Sequence, residues 1–107
     1  MHPQLRMRQY QHQSIATASP ERLVAKLFDL GVAACHRGDR PHLRAVLVEL
    51  VGGLDFERGG ELALRLHGLY TFCLAESNDG RLDVVATILG GLREAWQEGV
   101  LKQPLAA

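Results

Sequence analysis

The sequence predicts an all-α fold, an antiparallel up-and-down four-helix bundle with a mobile N-terminal arm. Three observations predict it. Apolar residues recur every three to four positions in four successive stretches, as in helices that bury one side. Short turns separate these stretches, and short turns make consecutive helices antiparallel. No stretch shows the β-branched alternation of a strand, so no sheet is expected.

Residues 1–18 are polar and rich in glutamine. They contain too little apolar surface to fold alone, and we interpret them as a mobile arm. Tyr10 and Ile15 are the apolar residues of this arm that we expect to dock on another surface.

The first helix is predicted from about Pro20 to about Arg37. Ser19 is a suitable N-cap, Pro20 suits the first helical position, and Glu21 suits the positive end of the helix dipole. One apolar stripe runs along this helix and consists of Leu23, Val24, Leu27, Phe28, Gly31, Ala34 and Cys35.

The second helix is predicted from about Arg40 to about Val51, because Gly38 is a natural stop and Asp39 a natural N-cap. After Gly52 and Gly53, residues 55–60 are expected to form a loop. The apolar stripe of this helix consists of Leu43, Val46, Leu47, Leu50 and Val51, with Leu54 just beyond its end.

The third helix, about Gly60 to about Glu76, has two apolar faces, which predicts packing on both sides or a face shown to a partner. Leu64 and Phe72 lie off the main stripe and are the better candidates for surface contact. The main stripe consists of Leu62, Leu66, Leu69, Tyr70 and Cys73, and the second face of Leu64, Gly68 and Phe72.

A turn at residues 78–80 leads to the fourth helix, predicted from about Leu82 to about Glu98. Its apolar residues are Val85, Ile88, Leu89, Leu92 and Trp96. The helical domain should therefore cover residues 19–103, followed by a short tail at 104–107.

Composition excludes several classes of function. The chain has 107 residues, enough for one small core, and 47% of them are apolar against 22% charged, as in a globular protein. The net charge is zero and no face is strongly basic, so nucleic-acid binding is not expected. No apolar run reaches the length of a membrane span, and no signal peptide is visible, so we expect a cytoplasmic protein.

Catalytic chemistry finds little support. None of the five histidines forms a metal-binding pair, and we expect His36 and His42 to be solvated residues of the first turn. Cys35 and Cys73 are expected to be buried thiols of a reducing compartment. We therefore expect no enzyme activity, no cofactor and no metal; the alternative, an enzyme or metal protein, rests only on these scattered side chains.

Three blocks of the sequence closely resemble the FliS family, the flagellin-specific export chaperones. The first is the arm and helix start, Tyr10-Gln11-His12-Gln13-Ser14-Ile15-Ala16-Thr17-Ala18-Ser19-Pro20-Glu21-Arg22-Leu23. The second is Leu54-Asp55-Phe56-Glu57-Arg58-Gly59-Gly60-Glu61-Leu62-Ala63, followed by Leu69-Tyr70, and the third is Leu92-Arg93-Glu94-Ala95-Trp96. They occur in the family's order.

The resemblance implies an antiparallel helical bundle whose apolar grooves bind the unstructured C-terminal segment of flagellin. Such a chaperone blocks premature filament assembly and delivers its client to the export gate; regulatory proteins are further partners. The arm can lie over part of the groove until the client displaces it. The client-binding residues would be Tyr10, Ile15, Leu23, Leu27, Leu50, Leu54, Leu62, Leu64, Leu66, Leu69, Tyr70 and Phe72.

The resemblance also assigns structural roles. Ser19, Pro20 and Glu21 would set the helix start that aims the arm. Arg93 and Trp96 would close the end of the fourth helix, with Trp96 a packing anchor. The loop between the second and third helices would contain Phe56, Gly59, Gly60 and Glu61.

This chain departs from the family in the length of its first two helices. They are together shorter by about four helical turns, which nearly preserves the phase of the apolar stripe. The shorter pair motivates an alternative, a FliS-like helical adaptor that binds a different secreted or regulatory client.

Overall fold

The computed structural model describes residues 19–102, and the predicted arm and tail lie outside this range. Its four helices are α1 (Pro20–Arg37), α2 (Arg40–Gly52), α3 (Phe56–Asn78) and α4 (Leu82–Glu98). Residues 19–102 contain no strand. Because two or three residues join each pair, consecutive helices fold back on one another. The predicted four-helix bundle is confirmed.

The ends of α1 follow the sequence signals. The hydroxyl of Ser19 accepts a hydrogen bond from the backbone N–H of Arg22 at 3.2 Å. Gly38 ends the helix in the left-handed conformation, with φ of 69°, which costs a glycine little. Asp39 then caps α2 by accepting from the backbone N–H of His42 at 3.1 Å. The first turn is therefore specified by local chemistry alone.

The start of α3 differs from the prediction. Phe56–Gly59 is a helical turn rather than a loop, because Asp55 Oδ1 accepts from the backbone N–H groups of Glu57 and Arg58, each at 3.1 Å. Gly60 then interrupts the helix with φ of 52° and ψ of −127°. The helix is thus kinked after its first turn, and it continues to Asn78 rather than Glu76.

The core is formed where all four helices meet, and α1 packs most extensively on α4. Gly31 permits this close approach, since a Cβ atom there would lie 2.6 Å from Leu89 Cδ1. The largest wholly buried side chains are Tyr70, Phe28, Leu43, Leu47, Leu89, Val85 and Cys73.

The inner face of α3 is narrower than its predicted main stripe. Leu62 and Leu69 are 55% and 37% exposed, because Ala63 and Tyr70 take the inner positions beside them. Leu64 and Phe72, the better candidates for surface contact, are 64% and 46% exposed. The buried residues of α3 are Ala63, Leu66, Tyr70, Cys73 and Ser77.

One arginine of α2 holds the C-terminal end of α3. Arg44 Nη1 donates to the carbonyl oxygen of Leu74 at 3.4 Å, to Ser77 Oγ at 3.3 Å, and to the side chain of Asn78. All three acceptors belong to the last turn of α3. Arg44 therefore fixes the register of α3 against α2.

Candidate functional site

An apolar groove lies at the end of the bundle where α1 and α3 begin and α2 and α4 end. It encloses a volume of about 370 Å³, at the lower end of the usual range for binding pockets. This volume suits a few apolar side chains better than a whole helix. The described residues that line it are Pro20, Glu21, Leu23, Val24, Leu27, Glu49, Leu50, Gly53, Leu54, Asp55, Gly59, Leu62, Ala63, Leu66, Tyr70 and Trp96.

The inner wall of the groove is rigidly packed core. Its buried members come from three helices and are Leu23, Leu27, Leu50, Ala63, Leu66 and Tyr70. Beneath them Phe28 is fully buried, with its ring centre 6.5 Å from that of Tyr70 and 5.8 Å from that of Trp96. The wall is therefore preformed, and an occupant need not order it on binding.

Trp96 closes one end of the groove and joins α4 to α1. Its indole Nε1 donates to the carbonyl oxygen of Glu21 at 2.8 Å, and its ring meets Phe28 edge to face. One turn earlier Arg93 pairs with Asp29 at 2.9 Å. These contacts agree with the structural roles that the resemblance assigns to Arg93 and Trp96.

The kinked start of α3 forms the opposite lip. Gly59 lines the groove, and a Cβ atom on it would lie 2.8 Å from the Cβ atom of Ala63. Because the backbone of Gly60 is not helical, the turn Phe56–Gly59 does not continue the axis of the rest of α3. The second block of the sequence therefore shapes the groove as a helical turn, not as a loop.

Most of the predicted client-binding residues within the described range meet in this groove: Leu23, Leu27, Leu50, Leu54, Leu62, Leu66 and Tyr70. Leu64, Leu69 and Phe72 are exposed on α3 outside it. Tyr10 and Ile15 lie outside the described residues.

Sequence reasoning missed several lining residues, chiefly Val24, Glu49, Ala63 and Trp96. Val24 belongs to the predicted stripe of the first helix but not to the predicted client-binding residues, whereas Ala63 flanks the predicted stripe of the third helix. Glu49 is a polar residue beside Leu50 on an amphipathic helix, a position usually assigned to solvent. Only the spatial arrangement of the helix ends identifies it as part of the wall.

Residues 19–102 contain no cluster of three His, Cys, Asp or Glu side chains suited to a metal ion. Cys35 and Cys73 are buried thiols, as predicted, and burial raises the pKa of each. None of the helices in the described range is long and apolar enough to cross a bilayer.

Comparison with known proteins places most of this fold in one family. The model of the family described as "Flagellar protein FliS" matches residues 39–104. The chain is also similar to the "Flagellar secretion chaperone FliS" of Campylobacter jejuni subsp. jejuni, with 44% identity over 61 residues. That alignment covers 50% of this chain and 48% of the relative, so the chain spans about half the length of the curated relative it matches. No solved structure matches the chain significantly.

Proposed function

Because the chain belongs to the FliS family of flagellar proteins, we propose that it is a flagellar secretion chaperone whose groove binds the C-terminal segment of flagellin. The observation that carries this proposal is the preformed apolar groove built from all four helices. Helical grooves of this kind receive the apolar residues of a segment that folds as it binds. Burial of those residues offsets an ordering cost of roughly 2–5 kcal/mol.

The biological consequence follows from which part of the client is covered. A flagellin whose C-terminal segment lies on the chaperone cannot use that segment for polymerisation. We propose that the complex stays assembly-incompetent in the cytoplasm until it reaches the flagellar export apparatus. The chaperone itself needs no catalytic group for this task.

The N-terminal arm is proposed to compete with the client. Pro20 and Glu21 line the groove, and residues 1–18 directly precede this helix start in the sequence. Tyr10 and Ile15 are the side chains proposed to occupy the groove before the client arrives. Deleting residues 1–16 should leave the far-ultraviolet helical signal intact and change the affinity for a flagellin C-terminal peptide. Equal affinities of the two chains would contradict competition.

Titration calorimetry with a flagellin C-terminal peptide tests the proposed function. We expect saturable binding and a change in the fluorescence of Trp96, the chain's sole tryptophan, which lines the groove. The absence of heat, of a fluorescence change and of co-elution at high micromolar concentration would contradict it. Capture from a native cell extract then shows whether flagellin or another client dominates.

Two matched variants locate the binding surface. Leu62 and Leu64 lie two residues apart on α3 and are similarly exposed, but only Leu62 lines the groove. We expect Leu62→Ser to weaken peptide binding at least about tenfold, the equivalent of losing one buried leucine contact. Leu64→Ser should have a smaller effect. A larger effect at Leu64 would instead place the client on the outer face of α3.

A further inference from the structure

The lip of the groove, residues 55–59, is a short unit with its own hydrogen bonds. Asp55 Oδ1 accepts from the backbone N–H groups of Glu57 and Arg58, each at 3.1 Å. The carbonyl oxygen of Asp55 accepts from the N–H of Gly59 at 2.8 Å. Donors and acceptors of these bonds all lie within the five residues. The lip can therefore change its position against the bundle without breaking them.

Glycines border the lip on both sides. Gly52 and Gly53 end α2 before it, and Gly60 follows Gly59 with the non-helical φ and ψ that bend α3. An added Cβ atom would meet nothing within 4 Å at Gly52 or at Gly60, so the chain has room to rotate at both places. Small residues at the ends of a segment are common hinges, because they absorb changes in φ and ψ.

An aromatic contact holds the lip against the rest of α3. The ring of Phe56 meets the imidazole of His67 edge to face, with the ring centres 5.8 Å apart. Eleven residues of a straight helix would separate these two positions by about 16 Å, so the contact depends on the bend at Gly60. Phe56 is nevertheless 48% exposed. A half-exposed aromatic pair is a weak latch, one that thermal motion opens.

The lip lies over part of the groove wall. Gly59 is in close contact with Ala63, as the position of its missing Cβ atom shows. Ala63, Leu50 and Leu66 line the groove but are buried. Among the large apolar side chains of the described lining, only Leu62 is exposed. An occupant that enters the groove as it stands contacts its rim, and one that packs on the deeper wall needs the lip to move.

We propose that the lip is a gate. In the free protein Phe56 holds it on His67, and it swings about its flanking glycines to admit an apolar side chain of the client to the deeper wall. This inference rests on the proposed function and describes how the groove is entered. If the open state is the minor one, the latch lowers the apparent affinity for the client in proportion to the open fraction. A weaker latch should therefore give tighter binding.

Thiol labelling tests the gate without any client. In Ala63→Cys the new thiol lies beside Gly59, whereas Cys73 lies in the core with no exposed surface. Both are labelled with N-ethylmaleimide, and mass spectrometry of the peptides gives the rate at each position. Adding Phe56→Ala should raise the rate at position 63 about two- to tenfold, the strength of one aromatic pair, and leave the rate of Cys73 unchanged. Because each thiol is compared with itself, differences in intrinsic reactivity cancel.

Phe72→Ala is the matched control, since Phe72 is 46% exposed on α3 but lies outside the groove. Combined with Ala63→Cys, it should leave the rate at position 63 unchanged. An equal rise for Phe72→Ala, or an equal rise at Cys73, would show that the whole bundle has loosened and would overturn the inference. No rise at position 63 in Phe56→Ala would overturn it too.

Calorimetry with a flagellin C-terminal peptide gives the second measurement. We expect Phe56→Ala to bind about two- to tenfold more tightly than the unmodified chain. Equal or weaker binding by Phe56→Ala would show that the lip does not gate the client, and the inference would be wrong. If neither chain binds the peptide but the labelling rates differ as expected, the flagellin assignment fails and the moving lip is retained.

Discussion

At the scale of single residues, Trp96 combines two contacts that can be separated. Its ring packs edge to face on Phe28, and its Nε1 atom donates to the carbonyl oxygen of Glu21. Trp96→Phe keeps an aromatic ring but removes the donor, so we expect a loss of about 1 kcal/mol in the free energy of unfolding. Trp96→Ala should lower the free energy of unfolding by about 3 kcal/mol or more, because it also leaves a cavity where the indole ring packed on Phe28. Urea denaturation followed by circular dichroism measures both, and equal losses would show that the hydrogen bond dominates.

Cys73 should make the bundle less stable as the pH rises through the alkaline range. Burial first, and then the neighbouring Cys35 and Glu76, raises the pKa of its thiol from 9.0 to about 11. Because the folded-state pKa is the higher one, this contribution is complete below pH 9 and is lost as the pH rises towards 11. We expect the unfolding free energy to fall by about 2 kcal/mol over that interval.

Cys73→Ala is the control for this pH dependence. It lowers stability at every pH by leaving a cavity, but the decline between pH 9 and 11 should be shallower, since one titrating group is gone. Urea denaturation at several pH values gives the slope of unfolding free energy against pH for the unmodified chain and for Cys73→Ala. Identical slopes would assign the alkaline transition to other groups, of which Tyr70 is the nearest candidate, since burial also raises its pKa.

At the scale of the element, α3 is the helix whose sequence is most ambiguous. Its buried residues recur with helical spacing at positions 63, 66, 70, 73 and 77. Leucines at 62, 64 and 69 lie off this face, so the apolar residues alone do not identify it. Apolarity alone therefore selects Leu62 over Ala63. The caps of α1 and α2 were predictable because each depends on contacts within four residues of the chain. The inner face of α3 was not, because it depends on where α2 and α4 lie.

The kink of α3 is expected to require glycine. Gly60 has φ of 52° and ψ of −127°, a backbone conformation that side-chain-bearing residues avoid. Gly60→Ala should lower the unfolding free energy by about 1–3 kcal/mol. Gly68→Ala is the matched control on the same helix, where a new Cβ atom meets nothing within 4 Å; it should raise stability by about 0.5–1 kcal/mol. Chemical denaturation measures both, and a neutral Gly60→Ala would contradict a fixed kink.

At the scale of the whole molecule, the bundle depends on the uncharged interior that the four helices share. Leu66 is 8% exposed and Leu64 is 64% exposed on the same helix. Leu66→Asp should unfold the bundle, because it buries a carboxylate without a partner. Leu64→Asp should leave the fold intact. Far-ultraviolet circular dichroism and size-exclusion chromatography distinguish them, and a folded Leu66→Asp chain would show that the interior admits water.

The groove also belongs to the whole molecule, because four helices form it. The sequence can therefore predict only part of it. Seven of its lining leucines and aromatic residues belong to stripes visible in the sequence, so its apolar character was predictable. The acidic residues in its lining, Glu21, Glu49 and Asp55, were not predictable, because they lie at the ends of three different helices. Only the meeting of four helix ends brings them together.

The most extensive packing in the bundle joins its first helix to its last. During synthesis α1 emerges early, but its principal neighbour is finished only when Glu98 leaves the ribosome, about 60 residues after Arg37. At roughly 5–20 residues per second, that delay lasts about 3–12 seconds. Over this interval the apolar stripe of α1 is without α4, so the nascent chain exposes apolar surface to which holdase chaperones can bind.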